Sequence, residues 1–368
     1  MEIQSTIRKR LVRLRENRGV SQEALSKAMG MNNRQSLAEL ESGNRAIQPQ
    51  ELLAAARFFG VPHSYFTDPL ELAGEASFSW RKSSTCDVAT IDDFEQTAGK
   101  WIATYRYLGK LMNASVNSSL TQIDLTKNST YDEACAEGGN VANTLELGDI
   151  PAIKLASVLT EKLDILILYL DAESSISGAA CKLGPLNTIM INRNEVPARR
   201  NFDLAHEFFH LLTWQTMRPE RIEEIENNSP KKPKVEQLAD AFASSLLMPE
   251  SSLLKYIRVK GVPSRDDTQW IKEAATHFKV SGPAMKWRLT SMGYFSAAMA
   301  RKIHDAEIKV ELPVDKPGLF SKEFVQRIHW AIDSGEMSVR KTADALGLTI
   351  DDLEALFSSY DLVAPFDL

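Results

Sequence analysis

Short runs of helical periodicity separated by polar stops fill the first 68 residues. Ile7, Leu11 and Leu14 recur at three- and four-residue intervals, which predicts a helix over 5–18. "SQEALSKAMG" follows, with Ser21 in the N-cap position, Leu25 and Met29 on one face and Gly30 ending the helix. "MNNRQSLAELESG" repeats the pattern, with Leu37 and Leu40 facing inward and Gly43 as the stop; "QPQELLAAARFFG" and "HSYFTD" complete five short helices. Residues 69–90, "PLELAGEASFSWRKSSTCDVAT", lack helical period and read as a linker. Helical patterning resumes at "IDDFEQTAGKWIATYRYLGKLM". Over 150–192 the apolar runs "KLDILILYLD" and "NTIMINR" are rich in β-favouring residues and are joined through "AESSISGAACKLGP". They predict two or three strands of a small sheet, and "SISGA" is a candidate sheet edge for an extended peptide.

At 368 residues, with 43% hydrophobic and 25% charged positions, the chain is long enough for two or three cores. Its start, "MEIQSTIRKRLVRLRENRG", lacks the apolar run of a signal peptide, and no stretch resembles a membrane span; a cytoplasmic location without membrane contact is expected. Cys86, Cys135 and Cys181 are odd in number and widely spaced, which fits a reducing compartment rather than a disulfide framework. The net charge of -6 conceals an asymmetry: residues 1–48 hold nine Lys/Arg against five Asp/Glu, or +4, leaving -10 for the rest. The basic end is where an anionic partner would bind.

The pattern Ser21-Gln22-x-x-Leu25-x-x-x-x-Gly30 followed by Glu41-x-Gly43 resembles the helix-turn-helix domain of phage-repressor-like (XRE-like) regulators. The resemblance implies that the second helix of the motif enters the major groove by its N-terminal residues. Here those are Asn32, Asn33, Arg34, Gln35 and Ser36, suited to base edges and phosphates. "GMNNRQSL" is one residue longer than the usual turn, which predicts DNA binding with little sequence preference. The alternative is a helical bundle that docks on protein, with Arg8, Lys9, Arg10, Arg13 and Arg15 as a solvated face.

The densest chemistry lies in "DLAHEFFHLLTW". His206 and His210, four apart, share one helical face; two imidazoles so placed can bind a zinc ion, with Glu207 beside them to take a proton from water. A catalytic zinc needs a third protein ligand. "VEQLADAFASSLLMP" supplies the candidate, Glu236, on an amphipathic helix whose Leu238, Phe242, Leu246 and Leu247 form the buried side. Asp240, one turn on, is placed to fix the tautomer of a ligand histidine. His277 in "ATHFKVSG" is a candidate oxyanion donor. Arg199 and Arg200 read as a solvated basic corner, and Cys86 is a candidate inhibitory fourth ligand, the alternative being a free thiol without a role.

"RRNFDLAHEFFHLLTW", together with "LELGDIPA", "SGAACKLG", "VEQLADAFASSLLMP" and "VSGPAMKWRL", resembles the ImmA/IrrE family of zinc metallopeptidases, in the branch with an N-terminal helix-turn-helix. The resemblance implies a gluzincin-like fold, with His206, His210 and Glu236 holding Zn2+ and Glu207 as general base. It also implies an intracellular regulator that cuts a partner repressor when DNA damage, a mobile element or phage is sensed. Phe209 stands where much of the family has glycine, and a narrowed substrate groove is expected. The tail "FSKEFVQRIHWAIDSGEMSVRKTADALGLTIDDLEALF" is a second helix-turn-helix look-alike; its acidic residues argue for packing or protein interaction rather than phosphate contact.

The expected fold is therefore mainly α with a small β-sheet (α+β): helix-turn-helix domain 1–68, linker 69–90, metallopeptidase domain 91–310 and helical C-terminal module 311–368. The competing function is a DNA-binding transcription regulator whose zinc site is structural or degenerate. The intact HExxH and Glu236 favour the peptidase, since a site without chemistry has no use for Glu207.

Overall fold

The computed structural model describes residues 2–114, 120–225, 232–264, 267–313 and 315–367. In chain order they form α1 (Glu2–Asn17), α2 (Gln22–Ala28), α3 (Arg34–Ser42), α4 (Pro49–Phe59), α5 (Ser64–Thr67), β1 (Ser77–Ser83) and α6 (Val88–Leu111). Next come α7 (Tyr131–Thr144), α8 (Pro151–Leu163), β2 (Ile165–Leu170), β3 (Ile176–Leu183), β4 (Leu186–Asn192), α9 (Pro197–Leu212), β5 (Ile222–Ile225) and α10 (Lys234–Leu247). The rest is helical: α11 (Glu250–Lys260), α12 (Thr268–Phe278), α13 (Gly282–Ser291), α14 (Ala297–Ala300), a 3-10 turn (Asp305–Ile308), α15 (Lys322–Asp333), α16 (Val339–Leu346) and α17 (Ile350–Ser358). The fold is α+β and mainly helical. No helix among the described residues is long and apolar enough to cross a membrane.

The chain divides into two units, one of Met1–Ser77, Asp92–Ser115 and Glu323–Leu368, the other of Phe78–Ile91 and Val116–Lys322. In the first unit α1 to α5 bury Ile7, Leu11, Leu25, Leu37, Leu40, Ala55 and Phe66 together. Ser21 caps α2 by accepting from the Ala24 amide, Asn33 caps α3 by accepting from Ser36, and Gly43 closes α3 at φ 87°. The basic residues of α1 are not all solvated. Arg10 is fully buried; its Nε donates to Glu75 at 2.7 Å, and its other nitrogens donate to the carbonyls of Tyr65, Asp68 and Glu71. Arg106 on α6 reaches the other oxygen of Glu75 at 2.8 Å. Arg15 pairs with Glu41 at 2.6 Å, and Trp101 on α6 donates to the Leu346 carbonyl at the end of α16. The helices of the tail thus belong to the same unit as α1 to α6.

The second unit contains a five-stranded sheet of order β2-β4-β3-β1-β5. β4 runs parallel to β2 and antiparallel to β3, and β5 runs parallel to β1. Two expectations change here. The segment read as a linker contributes β1, in which Ser79, Trp80, Arg81 and Lys82 are all buried. Arg81 finds its partner in Asp203, 122 residues away, and Lys82 donates to the Cys86 carbonyl, so polar composition here does not mean solvation. The glycine-bearing connection after β2 is itself β3, and because β3 lies between β4 and β1 it offers no free edge for a substrate. Gly178 in β3 is required by close approach. A Cβ there would meet the Met190 carbonyl of β4 at 2.6 Å and Glu207 Cγ of α9 at 3.6 Å. Gly138 does the same for helix packing, since a Cβ would meet the Phe242 carbonyl at 2.4 Å where α7 lies on α10. Ile167, Ile189, Ile191, Phe208, Phe209, Phe242 and Leu246 share the resulting core.

Candidate metal centre

Pro197 at the first turn starts α9, and the helix is buried on nearly every side. Leu204, Ala205, Phe208, Leu211 and Leu212 fill one part of its surface with core contacts. Asp203, His206, Glu207 and His210 follow the i, i+3, i+4, i+7 rule and line a single polar stripe. α10 packs on α9 and brings Glu236 to that stripe. One ligand atom from each of His206, His210 and Glu236 falls within 4.8 Å of the others, and all three residues are buried.

The arrangement is poorly satisfied by hydrogen bonds alone. The two Nε2 atoms of His206 and His210 face each other at 3.1 Å. Glu236 Oε2 is 3.2 Å from His206 Nε2, and its Oε1 is 3.1 Å from His210 Nε2 but out of line for a hydrogen bond. Convergent lone pairs on three buried side chains fit a cation coordinated by two imidazoles and a carboxylate. Burial opposes ionisation of Glu236, yet the adjoining His206 and His210 outweigh it and hold the carboxyl well below its usual range. Glu207 is 1% exposed with Oε1 unpaired among the described residues. Its burial pushes the carboxyl up against the opposing pull of the two histidines. Asp240 Oδ1 sits 3.0 Å from His206 Nδ1, and its other oxygen is paired with Lys232. Burial of Asp240 is again outweighed by His206, so its carboxyl is held low.

Three further groups join the cluster. Arg81 of β1 donates from its terminal nitrogen to Asp203 Oδ1 at 2.8 Å, and its Nε lies 3.9 Å from Glu236 Oε2. Asp203, fully buried, accepts from Arg199 Nε at 3.1 Å on its second oxygen. Glu223 of β5 is close enough to Glu236 and Glu207 that burial and these like charges push its carboxyl up to about 9. Of these, only Asp203 had a signal in the sequence, lying one turn before His206 on the same stripe. Arg81 and Glu223 arrive on strands whose pairing no local pattern reveals.

Other expected residues lie elsewhere. His277 on α12 packs against Tyr256 with ring centroids 4.8 Å apart and a 38° tilt, its charged neighbours are Asp149 and Lys260, and it is not one of the three residues of the ligand group. Cys86, the candidate fourth ligand, is buried and is not part of the group formed by His206, His210 and Glu236; its Sγ lies 3.5 Å from the Asp87 carbonyl oxygen. Phe209 is fully buried against Phe242 at 5.4 Å, and so fills the core instead of narrowing a groove. Arg200 is not a solvated corner either, because it donates to the carbonyls of Glu195 and Asp315. At the start of α3, Asn32, Asn33, Arg34 and Gln35 are exposed, while Asn33, the N-cap, and Ser36 are joined through the cap. Arg34 Nε donates to Gln22, which in turn donates to Glu41, so its guanidinium is tethered at the helix start.

Two family models match the chain: the IrrE N-terminal-like domain over residues 160–290 and the helix-turn-helix over residues 11–66. Neither a curated protein nor a solved structure matches it. The polar stripe of α9 and Glu236 fall inside the first match; Arg81 lies between the two.

Proposed function

We propose that this chain, which joins a helix-turn-helix domain to an IrrE N-terminal-like domain of metallopeptidase type, is a regulatory zinc endopeptidase that cuts a partner repressor. The reading places it in the cytoplasm, with DNA damage, phage or a mobile element as the trigger sensed through its DNA-binding end. The observation that carries the peptidase reading is the convergence of His206, His210 and Glu236 with Glu207 on the same stripe. A buried carboxylate beside two candidate ligand histidines that is not itself one of the ligands suits chemistry better than structure.

His206, His210 and Glu236 would hold Zn2+, which when bound supplies a Lewis acid for the peptide carbonyl and lowers the pKa of water. Asp240 fixes His206 in the tautomer that leaves Nε2 free to coordinate. Glu207 accepts the proton of the attacking water and returns it to the leaving amine. Its buried position raises its proton affinity toward the range useful for that transfer. At the other end, exposed Asn32, Arg34 and Gln35 offer contacts to phosphates and base edges, with little preference for sequence.

The test incubates the purified chain with the repressor encoded beside it, with and without single- or double-stranded DNA. Discrete cleavage that disappears in Glu207→Gln is expected. Cleavage that persists in Glu207→Gln removes the mechanism.

A further inference from the structure

The geometry points to Arg81 as a further catalytic residue of this site, whose Nε–H binds the substrate carbonyl oxygen as it becomes an oxyanion. The inference rests on the peptidase reading. Peptide hydrolysis moves a full charge onto that oxygen, and a preorganised donor there is worth a large part of the rate. His277 packs on Tyr256 and is not one of the ligand group. Arg81 has the properties required. It is 5% exposed, and one terminal nitrogen is fixed to Asp203. Its Nε is enclosed yet donates to no acceptor among the described residues, although it lies only 3.9 Å from Glu236.

A buried guanidinium donor without an acceptor costs free energy, and this one lies beside the candidate ligand group, where a substrate oxygen could take it up. Asp203 explains how the cost is tolerated. Arg81 is held by one carboxylate oxygen while Arg199 holds the other, so the guanidinium is fixed in place and does not swing onto Glu236. Asp203 and Glu207 are four apart on α9, which anchors the electrophile and the base to one rigid element. In the step itself, the oxygen of water bonds to the carbonyl carbon and its proton passes to Glu207. The C=O π pair moves onto the oxygen facing Arg81. When the C–N bond breaks, that pair re-forms the carbonyl and the amine takes the proton from Glu207.

The experiment needs no knowledge of the substrate. The full chain is loaded with Co2+, whose visible spectrum reports changes at the metal, and titrated with inorganic phosphate as an oxyanion and with imidazole as a neutral ligand. Arg81→Ala is expected to take up cobalt as the parent does and to bind imidazole equally well, but to need at least about tenfold more phosphate, the loss of one hydrogen bond to a charged group. Arg81→Lys, which keeps charge beside Asp203 but not the planar fork, falls between. Equal phosphate affinity in parent and Arg81→Ala overturns the inference, as does a parallel loss of phosphate and imidazole. If Arg81→Ala holds no cobalt, Arg81→Lys decides by the same comparison. A parent that takes up no cobalt at all defeats the metal reading itself, a different result from either.

Discussion

Asp240→Ala tests whether the outer contact of His206 contributes to the metal site. α10 grips that imidazole from both sides: Glu236 faces Nε2 at 3.2 Å, and Asp240, four residues on and hence on the same face, holds Nδ1 at 3.0 Å. His206 is fully buried behind a part-exposed Asp240, so without Asp240 its Nδ1 faces only solvent entering from that side, a weaker selector of the tautomer that leaves Nε2 free. Removing such a partner typically costs about 10–100-fold in metal affinity, or roughly 1.4–2.8 kcal/mol. Lys232 loses its carboxylate in the same variant, but it is only partly buried and contributes little. Zinc affinity would be measured by competition with a chromophoric chelator at neutral pH. Asp240→Asn, which retains an acceptor without charge, should fall between parent and alanine, and Lys232→Ala should stay within about threefold of the parent. An Asp240→Ala protein that also stays within about threefold would refute the argument, because the hydrogen bond would then add nothing to the ligand's orientation.

His206→Ala, His210→Ala and Glu236→Ala should each lose most of the bound zinc by metal analysis, since two ligands make a poor site, whereas Glu207→Gln should keep it and lose cleavage. Arg34→Ala with Gln35→Ala should weaken DNA binding without changing metal content, and the parent's affinity should fall steeply with salt as counterions are released; binding indifferent to both would turn the domain into a protein-docking module. Glu75 predicts an acid limb. Its burial favours the proton, but Arg10 and Arg106 outweigh this and hold the folded-state value below the ordinary one. Its stabilisation is therefore complete above about pH 4.3, the unfolded value, and is lost as pH falls through the depressed folded value. Glu75→Gln should flatten that part of the thermal stability profile and cost about 3 kcal/mol at neutral pH by leaving buried Arg10 short of its carboxylate. An unchanged acid limb would show that the pair contributes no linkage.

What the sequence made legible is what local periodicity encodes. The caps of α2 and α3 follow from Ser21 and Gly43, and the polar stripe of α9 follows from the spacing of His206, Glu207 and His210 among apolar neighbours. Glu236 and Asp240 were legible because an amphipathic helix places residues four apart on one face. Phe209 was misread for a reason of the same kind. One residue before His210, it points about a quarter-turn away and into Phe242, and only the packing of α10 decides what lies there.

The strands were harder, and the reason is physical. A strand's partners are set by sheet order, which in β2-β4-β3-β1-β5 follows chain order only at the β3–β4 hairpin. "SFSWRKS" carries four consecutive buried residues of which three are polar, so neither alternation nor an apolar run announces it. Its burial becomes intelligible only once Asp203, 122 residues away, is seen to take the charge of Arg81. The same separation explains why a site residue can lie outside the matched family segment. The candidate ligands form a local pattern on two helices, both inside the contiguous segment that the family model matches. A group delivered by a distant strand is tied to the site only through the fold. In this chain that strand follows directly on the segment 65–75 that Arg10 binds, so Arg81, beside the candidate ligand Glu236, and the last residue that Arg10 holds are separated by a handful of residues in sequence.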